Sequence, residues 1–318
     1  MKFILCSALL LLTQSLLAET VFVTLEKDNA LAIVDPVAGK LLKTVPVGQR
    51  PRGIVLSKDQ QQLYIASSDD DTIQVLDIET LKIIGTLPSG EDPETFAMNP
   101  AGDQLYVSNE DDSLVTVIDI KQAKAIATIA VGVEPEPITV SPDEKWVASG
   151  SEATNMVHWI NRKTLAVEHN TLVDPRPRGL SFTADSQQLW VTSEMGGTVT
   201  VLDTLSHEKI SSIRFEIAGV SSEKIQPVGV IIDDKKQWAL VALGPANRVA
   251  LINAQTLQVE KYFLVGQRVW NLAFSADQKR VYTTNGISND ISIIDLEAMK
   301  VSKSISVGRY PWGVVVKP

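Results

Sequence analysis

The sequence predicts an all-β fold, a seven-bladed β-propeller, from a repeated unit, from the strand patterns inside that unit, and from the way the two chain ends complement each other. The repeat is visible in the segment Arg50-Pro51-Arg52-Gly53-Ile54 and its later copies. The anchor positions are 51, 93, 135, 177, 227, 269 and 311, so the spacing is 42 residues except for one spacing of 50. Seven units of this length, one of them with an insertion, are typical of a propeller with one blade per unit.

Each unit contains four short strand patterns separated by turns. In the first complete unit they cover residues 53–57, 63–67, 72–78 and 82–87. These patterns are too short, too rich in β-branched residues and too often interrupted by turn residues to be helices. We therefore predict four-stranded blades of about 42 residues.

The two chain ends predict a closed ring rather than an elongated solenoid. In the phase of the repeat, Pro318 corresponds to Lys58 and Glu19 corresponds to Gln61. The C-terminal segment 313–317 would then supply the inner strand of one blade, and three N-terminal strands would supply the rest. A blade built from both ends removes the exposed sheet edges that a solenoid would keep.

Residues 1–18 predict a secretory signal peptide, and residues 19–318 predict a single propeller domain. Met1-Lys2 is a short positive start, an apolar run follows, and Ala18 marks the expected cleavage site. The apolar run is too short to favour a membrane anchor. Cleavage would remove Cys6, the one cysteine of the chain, which suits an oxidising compartment. We therefore expect a periplasmic protein without a membrane span in its mature chain.

Composition and motifs argue against several classes of function. The chain has 29 Lys+Arg against 38 Asp+Glu and a formal charge of −9, so it has no general attraction for nucleic acid. A single cysteine and three histidines supply no disulfide framework, no CxxC centre and no closed metal site. No nucleophile elbow, P-loop or zinc-protease motif is present. The acidic runs 69–71 and 110–112 are expected to be solvated loops. These observations predict no catalytic residue, no metal ligand and no cofactor.

The repeat consensus P-x-G-(I/V/L)-x-x-S-x-D-x-x-x-L-Y-V…V-x-V-I-D…I-x-V-G resembles the YVTN family of β-propeller repeats. Leu63-Tyr64-Ile65 and Leu105-Tyr106-Val107 are two copies of its central motif. The resemblance covers residues 20–318 and implies the propeller fold. A secreted protein with seven such repeats also resembles the propellers associated with pyrroloquinoline quinone (PQQ)-dependent alcohol catabolism. That narrower resemblance implies partners such as a periplasmic quinoprotein dehydrogenase, a cytochrome or an ABC-transport component.

Residues next to the anchors vary between blades and form the candidate binding site. We expect them in loops that converge around one mouth of the central channel. The first set, the basic–aromatic patch, comprises Arg50, Arg52, Arg268, Trp270, Arg309, Tyr310 and Trp312. The second set, the acidic arc, is expected across the channel and comprises Glu91, Asp92, Glu94, Glu134 and Glu136. Arginine beside aromatic residues is typical of interface hot spots and also suits an anionic or aromatic small ligand.

These features together predict a secreted, non-enzymatic binding or scaffold propeller associated with PQQ-dependent alcohol catabolism and its transport system. Its partners would be proteins or a small anionic or aromatic ligand. Two alternatives remain open. One is an enzyme, a lactonase-like metal hydrolase in which Glu94 and Glu136 would contribute metal ligands. The other is a protein that binds or senses a small metabolite.

Overall fold

The computed structural model describes residues 19–318 as a ring of seven four-stranded antiparallel sheets, which confirms the predicted seven-bladed β-propeller. The predicted signal peptide, residues 1–18, lies outside the described residues. In chain order, the first strands are β1 (Thr20–Leu25), β2 (Ala30–Asp35), β3 (Lys40–Pro46), β4 (Pro51–Leu56), β5 (Gln62–Ser67), β6 (Thr72–Asp77), β7 (Lys82–Pro88), β8 (Pro93–Met98) and β9 (Gln104–Asn109). The middle strands are β10 (Leu114–Asp119), β11 (Lys124–Ala130), β12 (Pro135–Val140), β13 (Trp146–Ser151), β14 (Met156–Asn161), β15 (Ala166–Leu172), β16 (Pro177–Phe182), β17 (Gln188–Ser193), β18 (Thr198–Asp203) and β19 (Lys209–Arg214). The last strands are β20 (Val230–Ile232), β21 (Trp238–Ala242), β22 (Arg248–Asn253), β23 (Gln258–Leu264), β24 (Val269–Phe274), β25 (Arg280–Asn285), β26 (Asp290–Asp295), β27 (Lys300–Ser306) and β28 (Pro311–Lys317).

Blade 1 is built from both ends of the described chain, as the phase of the repeat predicts. Its strand order is β28-β1-β2-β3, with Thr20 opposite Lys317 and Val21 opposite Val316. The other six blades each use four consecutive strands, so blade 2 is β4–β7 and blade 7 is β24–β27. The ring is therefore closed by a C-terminal inner strand paired with three N-terminal strands.

The turn between the third and fourth strands explains why the third strand of every blade ends in Asp or Asn. These residues are Asp35, Asp77, Asp119, Asn161, Asp203, Asn253 and Asp295. In blade 2, Asp77 accepts hydrogen bonds on Oδ1 from the backbone N–H and the hydroxyl of Thr80 at 2.8 and 2.6 Å. Such side-chain acceptors stabilise tight turns. The pKa of Asp77 is lowered because these hydrogen bonds favour its ionised form.

The hydrophobic core lies between neighbouring blades rather than inside each sheet. One buried cluster joins Phe22 and Leu31 of blade 1 to Leu63 and Ile65 of blade 2, and equivalent clusters follow around the ring. The cluster between blade 7 and blade 1 contains Tyr282 together with residues of β1 and β2, so the closing blade is packed on both sides. In the part of the chain that the structure describes, no helix is long and apolar enough to cross a membrane.

Candidate functional site

The loop before each inner strand has the same unusual backbone conformation in six blades. The residue before the anchor lies in the left-handed region, with φ between 46° and 63°, in Arg50, Asp92, Glu134, Arg176, Arg268 and Tyr310. Residues other than glycine rarely adopt this conformation. Here a neighbouring turn supports it, because Asn29 Oδ1 accepts the Arg50 N–H at 3.1 Å and Asn155 Oδ1 accepts the Arg176 N–H at 2.9 Å. The repeat therefore fixes the direction in which these side chains leave the loop.

The residue after each anchor lies in an inner strand and not, as expected, in a loop. Arg52, Glu94 and Glu136 are the second residues of β4, β8 and β12. Neighbouring inner strands approach closely here, since a Cβ added to Gly53 would lie 2.8 Å from the backbone oxygen of Glu94. This close approach explains the glycine of the repeat consensus and brings the side chains of neighbouring blades together around the channel mouth.

The basic–aromatic patch and the acidic arc are paired with each other rather than placed on opposite sides of the channel. Arg50 forms ion pairs with Asp92 and, through Nη1, with Glu94 Oε1 at 3.0 Å. Arg52 Nη1 lies 2.6 Å from Glu94 Oε2. Glu94 is fully buried. Its two carboxylate oxygens are each held by a guanidinium group, Oε1 by Arg50 and Oε2 by Arg52. The physical reason is adjacency, because residues at equivalent positions of neighbouring blades meet around a closed ring.

Glu110, which is expected from its sequence context in a solvated loop, belongs to this cluster. Its side chain is half-buried and hydrogen bonded to Glu94, and the carboxylate oxygens of Asp92, Glu94 and Glu110 lie within 4.8 Å of one another. Burial and the negative charges of Glu94 and Asp92 raise the pKa of Glu110 to about 7. Burial and the charge of Glu94 likewise raise the pKa of Asp92 to about 6, although Arg50 opposes the shift. No lysine or arginine within residues 19–318 forms an ion pair with Glu110.

A second carboxyl pair lies in the next blade. Glu136 and Glu152 are hydrogen bonded to each other, and Arg178 contacts both, with Nη1 at 2.5 Å from Glu136 Oε2. Burial raises the pKa of Glu136 well above its usual range. Burial opposes ionisation of Glu152 too, but the hydrogen bond from Glu136 and the charges of Arg178 and Arg176 outweigh it and lower its pKa. Glu136 therefore holds the proton of the pair, and Glu152 carries the charge.

A further carboxylate, Glu194, connects the mouth to the aromatic side of the patch. Its Oε2 lies 3.3 Å from Arg176 Nε, and its Oε1 lies 3.5 Å from Arg268 Nη2. The Arg268 guanidinium lies over the ring of Trp270, 4.4 Å from the ring centre. Five arginines and six carboxyl groups thus form one charged network around one end of the channel, and they are Arg50, Arg52, Arg176, Arg178 and Arg268 with Asp92, Glu94, Glu110, Glu136, Glu152 and Glu194.

Four predicted residues lie apart from this network. Arg309 is exposed and pairs with Asp28 at 2.6 Å. Tyr310 is exposed, and so are the side chains of Glu91 and Glu134. Trp312 lies at the mouth under Arg52, whose guanidinium is 5.4 Å from the ring centre, but it is only 6% exposed. It belongs to the wall of the channel more than to its accessible surface.

A second pattern in the sequence indicates the carboxylates Glu110, Glu152 and Glu194, which are not among the predicted site residues. Glu26, Glu110, Glu152 and Glu194 each follow directly on the second strand of a blade, so they share one phase of the repeat. Loops between the second and third strands lie on the same face as the anchors. An acidic residue repeated at this phase therefore indicates a set of carboxyl groups that converge on the channel mouth.

The arginine partners argue against a divalent cation at the cluster of Asp92, Glu94 and Glu110. The spacing of their oxygens would suit one. However, both oxygens of Glu94 are already held by guanidinium groups, and one oxygen of Asp92 is paired with Arg50. A dication would have to displace these positive groups or be repelled by them. The side chains fit a site whose positive charge comes from arginine.

Comparisons with known proteins point to lactonases. A family model described as "Lactonase, 7-bladed beta-propeller" matches residues 29–128, about a third of the chain. Two similar crystal structures are proteins provisionally described as 6-phosphogluconolactonases. The one from Bacteroides uniformis is 16% identical, with a TM-score of 0.80 and coverage of 94% of this chain and 100% of that chain. The one from Bacteroides fragilis is 17% identical, with a TM-score of 0.80 and coverage of 96% and 99%.

The fold is shared more widely than this activity. Kuenenia stuttgartiensis hydrazine synthase is 19% identical, with a TM-score of 0.79 over 87% of this chain and 92% of that chain. No curated protein sequence matches the chain. Likeness at these identities shows the fold, and the matched family adds the indication of activity.

The prediction that the protein is not an enzyme is wrong, because the family model that matches is that of lactonases, which are hydrolases. The findings favour the hydrolase alternative over the non-enzymatic scaffold. They do not show the narrower resemblance to YVTN repeats or to PQQ-associated propellers.

Proposed function

We propose that this protein hydrolyses a lactone at the channel mouth, with Glu110 as the general base and arginine side chains as the stabilising cations. The observation that carries the proposal is a half-buried carboxyl group that forms no ion pair with lysine or arginine in the described chain. It is hydrogen bonded to Glu94, whose own carboxylate is held by two guanidinium groups. A general base is most effective when its pKa lies near the working pH, and the pKa of Glu110 is raised to about 7. The lactonase match over residues 29–128 supports the same reaction class.

The arginines offer donors for the oxyanion that forms during ester hydrolysis. The Nε atoms of Arg52 and Arg178 are buried, and neither has a hydrogen-bond acceptor within residues 19–318. Arg52 Nε lies 3.8 Å from Glu26 Oε2, and Arg178 Nε lies 3.8 Å from Glu194 Oε2, and both distances are too long for a hydrogen bond. A buried N–H donor without an acceptor costs free energy. A substrate oxygen would supply that acceptor, and preorganised donors of this kind stabilise a developing negative charge.

The reaction follows from these roles. Ionised Glu110 accepts a proton from a water molecule while the water oxygen bonds to the carbonyl carbon of the lactone. The carbonyl electron pair moves to its oxygen, and the resulting oxyanion accepts hydrogen bonds from arginine. When the carbonyl re-forms, the ring C–O bond breaks and the leaving alkoxide takes the proton from Glu110. The product is a hydroxy acid. Its new carboxyl group keeps the second proton of the water and releases it to solvent, and the resulting carboxylate is paired with arginine until release.

The proposal is tested with the Glu110→Gln variant and a panel of γ- and δ-lactones, including sugar lactones. Removal of a general base lowers the rate by about 100-fold or more. Glu79→Gln is the matched control, because Glu79 is an exposed carboxylate in the turn between β6 and β7, on the opposite face. Hydrolysis by Glu110→Gln at the wild-type rate would contradict the assignment.

Location and partners are part of the proposal as well. The signal-like segment 1–18 supports secretion to a periplasm, and the resemblance to PQQ-associated propellers supports a place beside alcohol oxidation and its transport components. Cell fractionation of the native chain, followed by affinity capture from the periplasmic fraction, tests both. A cytoplasmic, uncleaved chain would contradict the location.

A further inference from the structure

The eight-residue insertion of the repeat builds a cleft at the edge of the channel mouth. The spacing of 50 residues falls between anchors 177 and 227, and the extra residues lie between β19 and β20. The cavity beside this segment has a volume of about 750 Å³, and Glu194, Phe215 and Ile225 are among the residues that line it. A volume of this size is typical of small-molecule sites.

The insertion is anchored, so the cleft exists before any ligand binds. Phe215 and Ile225 are buried in the core cluster between blades 5 and 6, and Ile217 and Val220 pack against the same cluster. The backbone N–H of Glu216 donates a hydrogen bond to the hydroxyl of Tyr262 at 3.3 Å. A preformed cleft avoids the entropy cost of ordering a loop when a ligand binds.

The floor of the cleft is apolar and its rim is polar. Buried Phe215 and Ile225 form the floor, and Met195, which is 65% exposed, lies at one side. Arg214 and Glu223 are exposed at the rim, and neither forms an ion pair with another described residue. An exposed thioether in the same cleft as two buried apolar side chains offers contact to an unbranched or aromatic group, because methionine adapts its shape to its partner.

Glu194 joins this cleft to the proposed reaction site. Glu194 lines the cavity, and its carboxylate contacts Arg176 and Arg268 in the charged network of the mouth. The cavity inside the channel is much smaller, about 130 Å³, and has Glu136, Arg178 and Trp312 in its wall. A ligand larger than a bare ring would therefore extend from the mouth outward into the insertion cleft and not down the channel.

We propose that the insertion cleft binds the apolar substituent of a lactone whose ring lies at the channel mouth. This inference rests on the proposed lactonase function for the identity of the ring. It assigns substrate preference to Met195, Phe215 and Ile225. The expected substrates are lactones with an alkyl or aryl side chain, and each buried methylene raises kcat/KM by about fourfold.

The first experiment separates binding from hydrolysis. Calorimetry measures the affinity of the wild-type protein for cyclopentanones, which keep the ring and carbonyl group of a γ-lactone but cannot be hydrolysed, with substituents from methyl to heptyl. Affinity is expected to rise with chain length. Met195→Glu places a charge against the chain and lowers the affinity for the heptyl compound by about tenfold. Ser222→Trp, a change at an exposed position of the insertion, fills the cleft and has the same effect.

Ile287→Glu is the matched control. Ile287 occupies the position of blade 7 that corresponds to Met195 in the repeat, is 50% exposed, and does not line the cleft. The Ile287→Glu variant is expected to bind all the cyclopentanones like the wild type.

The second experiment measures kcat/KM for γ-lactones with the same substituents.

The outcomes distinguish the two proposals. Chain-length-dependent binding that Met195→Glu and Ser222→Trp weaken, without hydrolysis of any lactone, would support the cleft and contradict the lactonase function. Hydrolysis that is independent of chain length, with equal binding by wild type and both variants, would overturn the cleft and leave the lactonase function intact.

Discussion

At the scale of single residues, the charge state of Glu110 links activity to stability. Its pKa rises from the usual 4.5 to about 7 on folding, so the folded state binds this proton more tightly than the unfolded state. The contribution of Glu110 to the free energy of unfolding is therefore fully present at low pH and is lost as the pH rises from about 4.5 to 7. Such a destabilising group is common where a site is built for chemistry rather than for stability.

The Glu110→Gln variant should therefore be more stable than the wild type above pH 7 and about equally stable near pH 4.5, because glutamine carries no charge to desolvate. Urea unfolding at both pH values measures the difference. Glu79→Gln serves again as the control, since its exposed side chain should give no pH-dependent difference. A variant that is less stable than the wild type at pH 8 would mean that the charged form of Glu110 is stabilised by contacts that offset its burial.

The two tryptophans of the basic–aromatic patch should differ in their contribution to stability. Trp312 is 6% exposed and lies in β28, whereas Trp270 is half-buried under Arg268. Trp312→Ala is expected to cost about 3–5 kcal/mol of the free energy of unfolding, as for other buried tryptophans. Trp270→Ala should cost less and should act mainly on ligand binding. Equal losses of stability would show that both side chains are core residues.

At the scale of structural elements, β28 is the strand on which ring closure depends. It pairs with β1 along its length and also packs against the inner strands of both neighbouring blades, β4 and β24. Removal of residues 310–318 exposes the edge of β1 and the buried cluster between blades 7 and 1. We expect the whole ring to unfold and not only its first blade. A truncated protein that stays monomeric with an unchanged thermal transition would contradict this.

The elements also show which parts of the site could be predicted from sequence. The anchors, the blade length and the closing strand follow from periodicity alone, because one repeated unit must bury its apolar faces against its neighbours. The position of Glu110 did not follow, because an acidic run after a strand has the appearance of a solvated loop. The pairing of Arg52 with Glu94 did not follow either. Both residues come directly after an anchor, so neighbouring blades place them side by side, whereas the charge pattern predicted two groups on opposite sides of the channel.

At the scale of the whole molecule, the positive charge of the site comes from arginine side chains. The carboxylates of Asp92 and Glu94 are occupied by guanidinium groups, so the proposed lactonase activity should not depend on a divalent cation. Assays after dialysis against EDTA, with and without added Ca²⁺, Mg²⁺ or Mn²⁺, check this. A loss of activity that one of these ions restores would contradict the arginine-based account and favour the metal-hydrolase alternative.

The measurement that tests the central claim most directly is the pH dependence of kcat/KM for lactone hydrolysis by the purified protein. The account predicts hydrolysis whose rate rises with pH and levels off above about 7, the pKa of Glu110, because only the ionised carboxylate accepts a proton from water. It also predicts that Glu110→Gln lowers the rate by about 100-fold and removes this dependence. No hydrolysis of any lactone, or an identical pH profile in wild type and Glu110→Gln, would contradict it.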